Sequence, residues 1–272
     1  LHLKEIKMPK RASVNRIRIF HNMARSGGTL ISKCLGCMQN AILLSEIHPL
    51  GSRWFNPLLQ AQQWFQLFSA EELSAFEQLK AVSFVDLLSL IEEKCRLLNK
   101  IMIIRDWSHL DFTGTPFVKK PSYQLTTAEI FRDRFEIINY SSVRHPIDQW
   151  LSLRNLKLLH DTLTLEVFLE GYYRFAEKSV EIGFIRYEDF VKEPEHKMMQ
   201  LCGNLSLPYD PNFINKWYDY KTITGVTQSA RGDKRIIKPV PRKKMEPGLM
   251  ERFEENPNYQ RSLDLLGYGH PG

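Results

Sequence analysis

RIRIFHNMARSGGTLISKCLG, residues 16 to 36, begins as a strand, breaks at two glycines and resumes as an amphipathic helix. Ile17, Ile19 and Phe20 form the strand-like run, and Leu30, Ile31, Cys34, Leu35 and Met38 follow at helical spacing. A strand, a Gly-containing loop and a helix N-terminus in this order make a phosphate cradle, because unpaired amides and the positive end of the helix dipole converge on one point. Gly27 and Gly28 are expected to let the backbone approach anionic oxygens closely. No Gly-Lys-Ser/Thr closes the loop; Arg25 supplies a cation before the glycines instead, a departure from the loop of ordinary ATPases and kinases.

Outward from this stretch, strand-like runs at Ile17 to His21, Ala41 to Leu44, Ile101 to Ile104, Phe135 to Ser141 and Val180 to Ile185 alternate with helical patterns. Such alternation predicts βαβ units in an α/β fold of three layers, a mainly parallel sheet flanked by helices. With 272 residues the chain has the length of one large α/β domain. A helix-rich insertion is expected over about 52–99, and a basic loop over about 224–244, where seven Lys or Arg fall between Arg231 and Lys244.

Lys and Arg number 37 against 31 Asp and Glu, a net charge of +6 that favours anionic ligands without the excess of a nucleic-acid-binding protein. Cys34, Cys37, Cys95 and Cys202 are too few for a disulfide framework, and the Cys34–Cys37 pair has no second pair to complete a zinc site. No metal is expected. No apolar run reaches the roughly 20 residues needed to span a membrane, and the first residues lack the apolar core of a signal peptide. The expected compartment is the cytoplasm, or the lumen of the secretory pathway if a leader or anchor precedes Leu1.

A second element stands at Tyr140 to Lys157, YSSVRHPIDQWLSLRNLK. A strand ends at Arg144, Pro146 suits a first helical turn, and Ser152 lies seven residues beyond His145 on the same helical face. An Arg at the end of one parallel strand and a Ser on the next helix can grip a second phosphate beside the first. Two grips imply a ligand with phosphates at both ends of a nucleoside.

At these residues the sequence resembles the sulfotransferases that use 3′-phosphoadenosine 5′-phosphosulfate (PAPS), a family of P-loop-like fold. Arg25, Ser26, Gly27, Gly28 and Thr29 are similar to its 5′-phosphosulfate loop, and Arg144 with Ser152, eight residues on, to its 3′-phosphate site. The likeness extends to FIRYEDF, residues 184 to 190, and to the ending LLGYG, residues 265 to 269. Several landmarks are nearest to the tyrosylprotein sulfotransferases. Their catalytic Glu falls twenty-one residues after the loop Arg, an offset that lands here on Glu46. Arg105 stands at the place of their transition-state Lys, and ARGDKRIIKPV, residues 230 to 240, resembles their cofactor-covering segment, with Gly232 where they have a functional Ser. The resemblance implies PAPS as co-substrate, adenosine 3′,5′-bisphosphate as product, and cofactor contacts from Arg231, Lys238 and Tyr187, the last on the adenine or simply packed beside Arg186, with Ser229 left to supply the hydroxyl contact missing at Gly232.

In-line sulfuryl transfer to a hydroxyl needs a base for the acceptor proton, cations around the sulfate oxygens and a stabilised leaving phosphate. Glu46 is the expected base, with His48 and His109 as alternatives, and Arg25 and Arg105 the expected cations. Lys33 is expected to be solvated. The expected partner is a hydroxyl-bearing acceptor: an anionic glycan, an acid-flanked tyrosine, or a small alcohol or phenol. A P-loop nucleotide kinase and a non-catalytic nucleotide- or polyanion-binding module remain the competing readings. The first lacks the loop Lys; the second has no need of Glu46, Arg105 or His109.

Overall fold

The computed structural model describes residues 15–78, 82–160, 162–225, 235–246 and 248–271. In chain order the elements begin with β1 (Arg16–Asn22), α1 (Gly28–Gly36) and β2 (Ala41–Ile47). Three helices follow, α2 (Pro57–Phe65), α3 (Ala70–Gln78) and α4 (Phe84–Leu97), before β3 (Ile101–Asp106), the short turns α5 (His109–Phe112) and α6 (Thr126–Glu129), and β4 (Glu136–Val143). Then come α7 (Pro146–Leu153), the turn α8 (Lys157–His160), α9 (Leu165–Ile182), β5 (Phe184–Arg186), α10 (Tyr187–Lys192), α11 (Pro194–Asn204), α12 (Leu249–Glu254) and α13 (Pro257–Leu266).

The five strands form one sheet in the order β2-β3-β1-β4-β5, with every pairing parallel. Alternation along the central strands sends side chains to two separate cores. Ile17, Ile19, Ile42, Leu44, Met102 and Ile104 join the core covered by α2, α4, α7, α9 and α13. Phe20, Leu43 and Ile103 join the other, covered by α1, α10 and α11. With both faces covered, β2 and β3 read as nearly continuous apolar runs, while β1 begins with exposed Arg16 and half-buried Arg18. Side-chain caps start several helices: Asn56 for α2, Ser83 for α4, Thr164 for α9 and Asn256 for α13 each accept from a backbone amide of the first turn.

The helix-rich span expected over 52–99 holds α2, α3 and α4. One expected strand is corrected. Val180 to Ile182 are the last turn of α9, and β5 begins only at Phe184. Phe168, Leu169, Tyr172, Phe175, Ala176 and Ser179 form a buried helical stripe that outweighs the β-branched run at its end. No helix among the described residues is long and apolar enough to cross a membrane.

Candidate active site

The C-terminal edge of the parallel sheet, where β1 separates β3 from β4, carries a cleft of about 380 Å³. Its floor is the loop from Met23 to Gly27. Arg25 has φ 64° and Gly27, the N-cap of α1, has φ 90°, so two left-handed residues turn the chain from strand into helix. Ser26 Oγ donates to Met23 O at 2.8 Å and is 1% exposed, tying the turn together rather than facing the cleft. Gly27 and Gly28 have a second reason to lack a side chain. A Cβ on Gly27 would stand 2.1 Å from Tyr187 Cδ2, and one on Gly28 would stand 2.3 Å from Asn22 Cγ. No side chain caps the N-terminus of α1, leaving its first amides to the cleft.

Arg25, Arg144 and Lys243 converge above this loop. Arg25 Nε donates to Ser152 Oγ at 2.9 Å, and Arg144 Nη1 donates to the Arg25 carbonyl at 3.1 Å. The Arg144 guanidinium lies 5.1 Å from the centre of the Tyr187 ring, and its Nε is buried with no hydrogen-bond partner among the described residues. Burial lowers the pKa of Arg25 and Arg144 lowers it further; partial burial lowers that of Lys243, helped first by Arg25 and then by Arg144. Like charges gathered this way, with an unsatisfied donor among them, suit a polyanionic ligand.

The backbone around Arg144 is held from behind. Its carbonyl accepts from Tyr172 Oη at 2.6 Å, and the following amide, of His145, donates to Glu188 Oε1 at 3.0 Å. Glu188 Oε2 in turn accepts from Tyr268 Oη at 2.8 Å. The FIRYEDF and LLGYG stretches therefore meet at one carboxylate that fixes the start of α7.

At the other end of the cleft stand Glu46 and Arg105. The β2–β3 register runs from Ser45 opposite Arg105 to Ile47 opposite Asp106, so Glu46, at φ 57°, is bulged out of the ladder. Its Oε1 lies 3.6 Å from Arg105 Nη2. Arg105 is 4% exposed and donates to Asn22 Oδ1, Ser45 Oγ, Thr29 Oγ1 and the Thr224 carbonyl at 3.0 to 3.3 Å. Burial lowers its pKa and Glu46 opposes that shift, yet a guanidinium stays charged in such a setting. Thr224 is seated by its amide and hydroxyl on Ser45 Oγ, at 3.2 and 2.7 Å.

The alternative bases sit elsewhere. His109 is 2% exposed, with Nε2 2.7 Å from the Thr115 carbonyl and Nδ1 2.5 Å from Thr113 Oγ1, and burial lowers its pKa. Both ring nitrogens are engaged and neither lines the cleft. His48 is fully buried, accepting the Leu50 amide on Nδ1 with Nε2 3.1 Å from Asp111 Oδ2; burial pulls its pKa down, but Asp111 and Asp106 outweigh it and raise it. Asp106 itself accepts from His21, Ser108 and Thr127, pinning the end of β3 rather than entering the site.

Thr29, Arg144, Ser152 and Tyr187 all line the cleft with Glu46, Arg25 and Arg105. Lys238 is exposed and does not line it, while Ser229 and Arg231 lie outside the described residues. Lys33 is corrected: it is 2% exposed and lines the cleft, on a helix that packs against the Trp217–Asp219 turn. Asn22, Thr224 and Lys243 escape the sequence reading. Lys243 sits in a run of basic residues in which nothing marks one position from the next.

No protein-family model matches the chain, and no curated protein matches it in sequence. Solved structures do match in fold. The sulfotransferase domain from the curacin biosynthetic pathway gives a TM-score of 0.65 at 16% identity, over 96% of this chain and 100% of that one. The sulfotransferase domain from the Synechococcus PCC 7002 olefin synthase gives 0.63 at 18% identity, over 98% of this chain and 100% of that one. At these identities the likeness is one of fold, and it spans nearly the whole chain.

Proposed function

We propose that this chain is a sulfotransferase that moves the sulfuryl group of PAPS to the hydroxyl of an acceptor. The observation that carries the reading is that one cleft holds both a cationic end, with Arg25, Arg144 and Lys243 over the N-terminus of α1, and a Glu46–Arg105 pair. The fold shared with two sulfotransferase domains supports it. The site also fits a nucleoside carrying two phosphates: its cations lie at separate strand ends, β1 and β4, and the buried Arg144 Nε awaits an acceptor.

When bound, the donor supplies the sulfuryl group and a phosphate leaving group. In this reading Arg144, with Ser152, holds the 3′-phosphate, while Arg25, Thr29 and the first amides of α1 hold the 5′ end. Arg105 offers a buried, pre-oriented guanidinium to the charge that develops on the transferring group. Glu46 takes the acceptor proton, its carboxylate turned toward the cleft by the bulge in β2. The Arg105 contacts to Asn22, Ser45 and Thr224 fix that geometry before any ligand arrives. The acceptor is a hydroxyl compound entering beside Glu46.

Turnover of labelled PAPS with a panel of glycans, peptides, phenols and alcohols tests the reading. Release of bisphosphate with label transfer to one acceptor class is the expected result. Binding of the bisphosphate without turnover on any acceptor would point to a binding module instead.

A further inference from the structure

Residues 235–246 cross the mouth of the cleft as irregular chain. One end rests on the core that covers the α1 face, where Ile237 packs and the Arg235 guanidinium lies 5.1 Å from the Tyr218 ring. The other end rests on the opposite core through Met245. Between these supports Val240, Pro241 and Lys243 line the cleft.

Beside Lys243, Arg242 makes a two-pronged pair with Asp148 on α7. Nε donates to Oδ1 at 3.0 Å and Nη2 to Oδ2 at 2.9 Å, with the two side chains 27% and 15% exposed. A planar guanidinium meeting a carboxylate this way is pre-organised and directional. Asp148 lines the same cleft and lies on the helix that presents Ser152. An uncovered carboxylate there would oppose an anionic ligand.

Lys243 has a reason to leave. Arg25 and Arg144 repel it, and together with burial they lower its pKa. A lysine on irregular chain would relieve that repulsion by swinging outward. Because Arg242 is its immediate neighbour, fastening Arg242 to α7 fixes the backbone that carries Lys243.

We propose that Asp148 and Arg242 are positioning residues: their ion pair latches residues 235–246 onto α7 and holds Lys243 in the cleft beside Arg25 and Arg144. The inference rests on the donor-binding reading of that cleft. It makes Asp148 a carboxylate that promotes anion binding, opposite in sign to its direct electrostatic effect.

Calorimetric titration with adenosine 3′,5′-bisphosphate tests this sign on the wild-type chain, Asp148→Asn, Lys243→Ala and the double variant. Asp148→Asn should weaken binding by about tenfold, the worth of one charged contact, although it removes a negative charge from the cleft. Lys243→Ala should cost a similar factor in the wild type and about twofold or less in Asp148→Asn, since the two act through one contact. Arg242→Gln repeats the test should Asp148→Asn not fold. Equal or tighter binding by Asp148→Asn, or independent effects that multiply, overturns the latch while leaving the donor reading in place. A wild-type chain that does not bind the bisphosphate overturns the donor reading, and the latch with it.

Discussion

Glu46 Oε1 lies 3.6 Å from Arg105 Nη2, and the two meet because Glu46 is bulged from β2 while its neighbour Ser45 keeps register with Arg105. A general base contributes roughly 10²- to 10⁴-fold to such a reaction. Glu46→Gln keeps the shape and removes the base, so turnover of labelled PAPS should fall by about that factor. Affinity for the bisphosphate should stay within about threefold, because the base touches the acceptor and not the nucleotide. His109→Gln measured in parallel separates the candidates. Loss of turnover there, with most of it retained in Glu46→Gln, would transfer the role to His109.

The two-grip arrangement makes a prediction about ligands rather than rates. Arg25 and Arg144 end different strands and are tied through Ser152 and the Arg25 carbonyl. Adenosine 3′,5′-bisphosphate should therefore raise the melting temperature well above the effect of AMP at equal concentration. Arg144→Ala should weaken the bisphosphate by about 1.5 to 3 kcal/mol and leave AMP nearly unaffected. Equal stabilisation of the wild-type chain by both nucleotides would rule out a dedicated 3′-phosphate grip.

Gly27→Ala should be among the most damaging small substitutions in the chain. The added methyl would stand 2.1 Å from Tyr187 Cδ2 at φ 90°, a conformation that costs an L-residue on the order of 1 to 3 kcal/mol even in open space. Tyr187 packs under Arg144, so the displaced ring should carry the guanidinium with it. A thermal melt and a bisphosphate titration should both worsen. Lowered stability with unchanged affinity would show that Tyr187 and Arg144 are not coupled.

What the sequence made legible was local chemistry. The run into Gly27 and Gly28 identifies a strand, a loop and a helix start, and the Arg144 to Ser152 spacing places a cation and a hydroxyl on successive elements. Four of the five strands follow from strand-like runs, the most apolar being β2 and β3, which are covered on both faces. Tertiary relations were not legible. The left-handed φ of Glu46 depends on its pairing with β3, not on its neighbours in sequence. The burial of Lys33 and the convergence of Lys243 on Arg25 depend on segments more than a hundred residues apart. Val180 to Ile182 read as strand because β-branched residues favour a sheet, whereas here they form the largely exposed last turn of a helix whose buried stripe ends at Ser179.

His145 gives the fold a defined acid sensitivity. It stands at the N-cap position of α7 without a side-chain capping bond, donates from Nε2 to the Gly269 carbonyl at 3.2 Å, and has Nδ1 buried without a partner among the described residues. Burial, with the Arg242 charge nearby, pushes its pKa from 6.5 down to about 4. Between those values the unfolded chain binds a proton that the folded chain refuses. The stabilisation from neutral His145 is therefore complete above pH 6.5 and is lost as pH falls toward 4, by on the order of 3 kcal/mol across the window. His109, lowered by burial, adds a slope of the same sign, whereas His48, raised by Asp111 and Asp106, opposes it. Urea unfolding at pH 7, 5.5 and 4.5 should show stability dropping most steeply between the first two and the last. In His145→Gln the drop should shrink by most of that amount, because an amide does not titrate. A variant that loses stability with the same pH slope as the wild type would place the acid sensitivity on other buried groups, His109 and Asp106 among them.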